Sequence, residues 1–211
     1  MLKIGVLVSG GGTNLQAILD AQISGDLRSG RVACVISNRS DAYALKRAEK
    51  NSVPAFFLSK KQLGDGFEDE ILKIFAEHGV DVVVLAGFMC ILGKKLIRAY
   101  PNKIINIHPA LIPSFCGDGF YGLHVHERAL EYGVKVTGAT VHFVDEVTDG
   151  GAIIMQLPVK VEDWDTPETL QKRVMVEAEQ TLLPKALELL CAGRLVTEGR
   201  RVTIKAADEV K

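Results

Sequence analysis

The chain has 211 residues, with 25 Lys and Arg against 26 Asp and Glu and a formal net charge of −1. This balance argues against nucleic acid or a membrane surface as the main partner and leaves a small molecule as the expected one. At this length one core can bury roughly 70% of the unfolded surface, so one compact unit is expected.

The amino-terminal stretch "MLKIGVLVSGGG" carries one lysine and an apolar run broken by Gly5, which suits a first buried strand better than a signal peptide. Strand-like runs at 2–8, 31–37, 53–58, 81–86 and 103–107 alternate with helical patterns at 13–24, 42–51, 66–78 and 93–100. That alternation implies crossover units and a Rossmann-like, doubly wound α/β fold with a mostly parallel sheet. The longest apolar run, "VVVLAGFMCIL", is about half the length of a membrane span, so a soluble, cytoplasmic protein is expected. After residue 122 the pattern changes. A helix at 123–132 precedes two strands, "VKVTGATVHFV" and "AIIMQLPVKV", with only "DEVTDGG" between them, which predicts an antiparallel hairpin with a long loop. Thr166-Pro167 opens the last long helix in N-cap then Pro order, and "RLVTEGRRVTI" reads as a small terminal hairpin. Cys34, Cys90, Cys116 and Cys191 lie in or beside apolar runs without C-x-x-C spacing, the pattern of reduced, buried thiols and not of a disulfide framework.

Three glycines in "VSGGGTNLQAIL" stand between a strand and a helix that starts at Thr13 and Asn14. Free backbone N–H groups there, with the positive end of the helix dipole, make a cradle for an anion. The plainer reading is a tight strand-to-helix turn. No G-K-[ST] follows, Leu7 rules out a Gly-x-Ser-x-Gly elbow, and "ISNRS" lacks the acid of a dinucleotide site. One phosphate is the expected ligand.

"IINIHPALIP" places Asn106 and His108 on one face of a strand whose other face carries Ile105 and Ile107. Pro109 ends the strand, so the pair sits at a carboxyl-terminal strand edge, where open α/β sheets bind ligands. Among the five histidines, His108, His124, His126 and His142 are candidate metal ligands. His124 and His126 open a helix, however, where positions i and i+2 do not share a face, and no second spaced pair accompanies them. No metal is therefore expected. His78, near a helix end, suits the helix dipole as a surface residue. Asp145, Glu146 and Asp149 occupy the hairpin loop, and a carboxylate placed near His108 could fix its tautomer and stabilise its protonated form. Residue types alone do not choose among the three.

"SGGGTNLQAI", "DVVVLAGFMCIL", "INIHPALIP" and "TVHFVDEVTDGG" occur in this order at these separations, and over roughly residues 1–195 the chain resembles the phosphoribosylglycinamide formyltransferase family. The resemblance implies transfer of a formyl group from 10-formyltetrahydrofolate, a co-substrate, to the amine of a glycinamide ribonucleotide in purine synthesis. It implies Asn106, His108 and Asp149 as the catalytic trio, and Gly12, Thr13, Asn14 and Glu179 as contacts of the ribonucleotide. Helical spacing from Leu170, Val174 and Ala178 puts Glu179 roughly opposite that face, which leaves a solvated role as the alternative. For the folate it implies Met89, Cys90, Ile91 and Leu92, Asn106, and the loop Val144, Asp145, Glu146, Val147, Thr148 and Asp149. Residues 1–100 then form a phosphate-binding half, 101–195 a folate and catalytic half, and 196–211 a tail. Small molecules are the implied partners, with no nucleic acid and no membrane, and a homodimer stays open.

Three departures stand out. The family commonly has Arg where this chain has Cys90, and an Arg-Glu pair where it has Gly64-Asp65 ahead of Phe67; both arginines are associated with the folate's glutamate side. The segment Ser114 to Tyr121 is longer than the family's shorter form, as a lid or as a surface insertion. Rival readings are a formyltetrahydrofolate hydrolase or a methionyl-tRNA formyltransferase, whose usual extra domains this chain is not expected to accommodate, and a phosphate-ligand binding module without turnover.

Overall fold

Apolar runs of four to eight residues separated by amphipathic helices dictate a sheet covered on both faces, and the computed structural model, which describes residues 1–209, has that form. In chain order the elements are β1 (Leu2–Val8), α1 (Thr13–Ser24), β2 (Gly30–Ser37), α2 (Tyr43–Lys50), β3 (Ala55–Phe57), α3 (Lys60–Leu63), α4 (Phe67–His78), β4 (Val82–Leu85), α5 (Lys94–Ala99) and β5 (Ile104–His108). They continue with α6 (His124–Tyr132), β6 (Val136–Phe143), β7 (Ile153–Lys160), α7 (Pro167–Val174), α8 (Gln180–Cys191), β8 (Leu195–Glu198) and β9 (Arg201–Ile204). The main sheet has seven strands in the order β3-β2-β1-β4-β5-β6-β7. β1 to β5 pair in parallel, and β6 and β7 add antiparallel. β8 and β9 form the separate terminal hairpin.

Strand alternation divides the core. From β1, Ile4, Val6 and Val8 join Leu15 and Ile18 of α1 and Leu183 and Leu187 of α8, while Leu7 joins Ile71 and Phe75 of α4. Each such side chain, fully withdrawn from water, contributes about 1.5–3 kcal/mol. The order reverses direction between β1 and β4. Strand ends on both sides of that point therefore face one crevice, and the loops after β1, β4 and β5 meet there. The Thr166 hydroxyl accepts from the Thr169 N–H (3.3 Å) and the Thr169 hydroxyl from the Thr166 N–H (2.9 Å), a reciprocal cap with Pro167 in the first turn of α7.

Three expectations change in detail. β3 keeps only three of the residues 53–58, because Pro54 has no N–H for the ladder. All four cysteines are free, but only Cys34 is buried; the others reach the surface in part. His78 is half-buried, with its ring edge-on to Phe56 at 5.3 Å and Nδ1 2.8 Å from the Ile74 carbonyl, so it packs as well as terminating α4. Among the described residues, no helix is long and apolar enough to cross a membrane.

Candidate active site

β5 ends at the crevice with Asn106 and His108 on the same side, and the antiparallel partner β6 sets His142 opposite Asn106 and Thr140 opposite His108. Thr140 donates its hydroxyl to the Ala110 carbonyl (2.7 Å) and accepts from the Ile112 N–H (3.1 Å), which fixes the chain as it leaves β5 past Pro109. The loop after β6 folds back on its own strand so closely that a Cβ at Gly151 would lie 1.8 Å from the Phe143 carbonyl oxygen. Glycine is required there. This return, with Asp149 itself at φ 52°, carries the Asp149 carboxylate between the two histidines. Its Oδ2 lies 3.5 Å from His108 Nδ1 and its Oδ1 lies 3.6 Å from His142 Nε2. The Gly117 N–H donates to Oδ2 at 2.9 Å.

Burial alone would raise the Asp149 pKa. His142, the charge of His108 and the Gly117 N–H outweigh it and hold the carboxyl below the usual carboxylate range. For His108, 4% exposed, burial dominates and pushes the pKa down, against the opposing pull of Asp149 and the Phe115 carbonyl. Both ring nitrogens face oxygen acceptors, since Nε2 lies 2.8 Å from the Phe115 carbonyl. The site therefore offers hydrogen-bond partners for an imidazolium in a place whose burial disfavours one. A negative charge arriving next to the ring shifts that balance toward the cation.

His142 explains how Asn106 is aimed. Its Nδ1 lies 2.8 Å from the Phe143 carbonyl, which can only accept, so Nδ1 carries the proton. Nε2 lies 3.2 Å from the Asn106 amide nitrogen and 3.6 Å from Asp149 Oδ1; unprotonated, it accepts from the Asn106 amide, and with a proton it faces the Asp149 carboxylate. That contact turns the Asn106 NH2 group inward, with its second N–H left for the cavity. Sequence reasoning missed this role and considered His142 only as a metal ligand. The available signal was the β5–β6 register, which pairs it with Asn106.

At the other end of the crevice Gly12 adopts φ 71°, and a Cβ there would lie 2.7 Å from the Ala44 Cβ. Only glycine turns the chain into α1 while resting on α2. Thr13 and Asn14 open α1, and their N–H groups have no partners within the helix. Asn14 donates to Glu179 Oε2 at 2.7 Å, and its own Oδ1 is buried without a protein partner. Glu179 is itself only 8% exposed, which removes the solvated alternative. Residues Met175–Glu179 form a π-helical turn between α7 and α8, and its extra residue rotates Glu179 inward from where α-helical spacing would put it. Burial raises the Glu179 pKa, with the Asn14 hydrogen bond opposing.

Between these ends runs a cavity of about 910 Å³ lined by the Gly10–Asn14 turn, Met89 to Leu92, Asn106, His108, residues 144–149 and Glu179. The Met89 N–H donates to the Ser9 hydroxyl (2.7 Å) and Asn38 donates to Cys90 Sγ (3.1 Å), which fix the backbone of the 89–92 segment. Met89, Ile91 and Val147 leave large apolar side chains exposed at the mouth. Glu146 turns outward to Lys94 (3.0 Å) and Arg98 (2.9 Å), and Asp145 accepts from the Val147 N–H (2.9 Å). Of the three loop acids only Asp149 meets the histidines.

The 114–122 segment is no surface ornament, because Phe115 and Gly117 supply the backbone groups that hold His108 and Asp149. His126, on α6, also lines the cavity and escaped sequence reasoning as anything but a metal candidate. It is 1% exposed, neither ring nitrogen has a partner, and burial, with His108 nearby, lowers its pKa to about 4. No group of three or more His, Cys, Asp or Glu side chains placed to hold a metal occurs among the described residues.

The chain is similar to known proteins over nearly its whole length. The model of the formyl transferase family matches residues 2–187. A phosphoribosylglycinamide formyltransferase of Haemophilus influenzae is 42% identical over 197 residues, covering 92% of this chain and 90% of that protein. The crystal structure of glycinamide ribonucleotide transformylase 1 from Symbiobacterium toebii superposes with a TM-score of 0.91 at 46% identity, covering 97% of this chain and 94% of that one. A formyltetrahydrofolate deformylase from Pseudomonas syringae is similar at 29% identity and a TM-score of 0.86, with 65% of its chain covered.

Proposed function

The chain belongs to the formyl transferase family, and from that premise we infer that it transfers a formyl group from a formyl-folate to the amine of phosphoribosylglycinamide, a step of purine biosynthesis. The observation that carries this reading is the single cavity with an N–H-lined anion cradle at one end and Asn106, His108 and Asp149 at the other. The folate is 10-formyltetrahydrofolate. Its pterin lies against Met89 to Leu92 and residues 144–149, where backbone groups can serve a polar heterocycle and the apolar rim can cover its ring. The ribonucleotide phosphate rests on Gly12, Thr13 and Asn14, and Glu179 takes the ribose.

The amine nitrogen attacks the formyl carbon, and the carbonyl pair moves onto oxygen as an alkoxide. The free Asn106 N–H donates to that oxygen. His108 Nε2 donates to it as well, in place of the Phe115 carbonyl that now occupies the same donor. His108, neutral beforehand, takes the proton that the attacking nitrogen, cationic once bonded to carbon, gives up, and the imidazolium so formed is stabilised at Nδ1 by Asp149. The alkoxide then collapses, the bond from carbon to folate N10 breaks, and His108 returns that proton to N10, which leaves the ring neutral again.

A formyltetrahydrofolate hydrolase would use the same end of the cavity with water as nucleophile and would not need the anion cradle. Spectrophotometric turnover of formyl-folate with and without phosphoribosylglycinamide separates the two. Folate product is expected only with the ribonucleotide present, in step with formylated amide. Equal product formation in its absence would reverse the assignment.

A further inference from the structure

The phosphate-binding turn is held from behind. Two successive carbonyls of the glycine run are gripped by α2: the Ala44 N–H donates to the Gly10 carbonyl at 3.1 Å, and Arg47 Nε donates to the Gly11 carbonyl at 2.8 Å. A trans peptide carries its C=O and N–H on opposite sides. A carbonyl fixed toward α2 therefore fixes the next residue's N–H away from α2, toward the cavity that Gly11 and Gly12 line.

Arg47 is built to hold this grip. A second arm, Nη1, donates to Gln16 Oε1 at 3.0 Å, and Gln16 in turn donates to Asp20 at 2.9 Å, both along α1. The guanidinium lies 5.0 Å from the centre of the Tyr43 ring. Two divergent contacts and a stacked face leave the group little freedom, and the planar fork of arginine is the side chain that can meet all three. Arg47 also faces the groove between α1 and α8, on the far side of the turn from the catalytic residues.

We propose that Arg47 is a positioning residue for the ribonucleotide phosphate, acting by pinning the Gly11 carbonyl so that the Gly12 N–H is presented to the anion. This deepens the reading of the Gly10–Asn14 turn as the phosphate cradle and rests on it. Arg47 makes the only protein hydrogen bond to the Gly11–Gly12 peptide among the described residues, and glycine on both sides gives that peptide more rotational freedom than any other residue pair would. Loss of one charge-assisted N–H donor weakens anion binding by about 10- to 100-fold. Lysine at position 47 would keep the positive charge but could not hold Gly11, Gln16 and the Tyr43 ring together.

Two measurements test this. Calorimetric titration with ribose 5-phosphate is carried out on wild type, Arg47→Ala and Arg47→Lys, and kcat/KM is measured on phosphoribosylglycinamide and on its dephosphorylated riboside. Both variants should bind ribose 5-phosphate about 10- to 100-fold more weakly, while kcat/KM on the riboside stays within about twofold of wild type. Unchanged ribose 5-phosphate binding in Arg47→Ala, full restoration of binding by Arg47→Lys, or an equal loss on both substrates would overturn the proposal. A wild type that binds ribose 5-phosphate through Arg47 yet does not formylate the ribonucleotide would uphold the positioning role while removing the functional reading.

Discussion

The two ends of the cavity are made of different material. The end proposed for the phosphate consists of backbone N–H groups on an open turn, shaped by glycines and a helix start, and its neighbouring side chains mostly hold the turn in place. The catalytic end consists of side chains, with His108 and His142 at 4% and 2% exposure and each ring committed to a named acceptor. Backbone donors need no solvation cost to be offset side chain by side chain. Buried imidazoles and a carboxylate do, and they meet it by serving one another. Truncation should therefore be felt very differently at the two ends.

The largest effect is expected for Asn106→Ala and Asp149→Asn. Each removes a group that acts on charge developing only in the transition state, so turnover should fall by about 10²- to 10³-fold with little change in ribonucleotide affinity. Steady-state kinetics at saturating substrates checks this, and wild-type-like turnover in either variant would remove that residue from the mechanism. The buried ring of His126 gives the next effect, on stability. Its folded pKa of about 4 lies below the 6.5 of an ordinary imidazole, so between those values the unfolded chain binds a proton that the folded chain does not. Stability should thus be intact above pH 6.5 and decline as pH falls toward 4, by on the order of 3 kcal/mol. Chemical denaturation across that range should show the decline, and His126→Leu should remove this share of it.

His142→Ala should cost less than loss of Asn106. The Asn106 amide stays but loses the partner that orients it, so kcat should drop about 10-fold, the worth of one hydrogen bond, with the KM values nearly unchanged. A loss as large as that of Asn106→Ala would assign His142 a direct role. The smallest effect concerns the folate tail. With Cys90 where the family commonly has Arg, KM should differ little between mono- and polyglutamylated donors. Cys90→Arg should add a salt-sensitive preference of about 0.2–1 kcal/mol for the longer tail. A strong, salt-resistant preference already present in wild type would place the tail on another part of the chain.

This contrast also governs what the sequence reveals. Periodicity and punctuation located nearly every element, because Gly10 to Gly12, Pro109 and Thr166-Pro167 constrain the backbone locally. The glycine turn into α1 was legible for the same reason, and so was the placement of Asn106 and His108 at a strand end. Asp149 could be singled out only through resemblance to a family, since its selection over Asp145 and Glu146 depends on a loop that folds back over Gly151. His142 was misread, and Glu179 was placed only through the family resemblance, because their positions depend on long-range facts. His142 acts through a register between strands, and Glu179 points inward because of a π-helical turn that no local pattern announces. Arg47 falls in the same class, because its significance lies in a carbonyl 36 residues away in the chain.

The division of labour within the cavity is tested most directly by His108→Ala, with ribonucleotide binding and single-turnover formyl transfer measured on the same preparation. The dissociation constant for phosphoribosylglycinamide should stay within about twofold of wild type while the rate of transfer falls by about 10² or more. A dissociation constant that worsens in parallel with the rate would contradict the separation of a backbone-made binding end from a side-chain-made catalytic one.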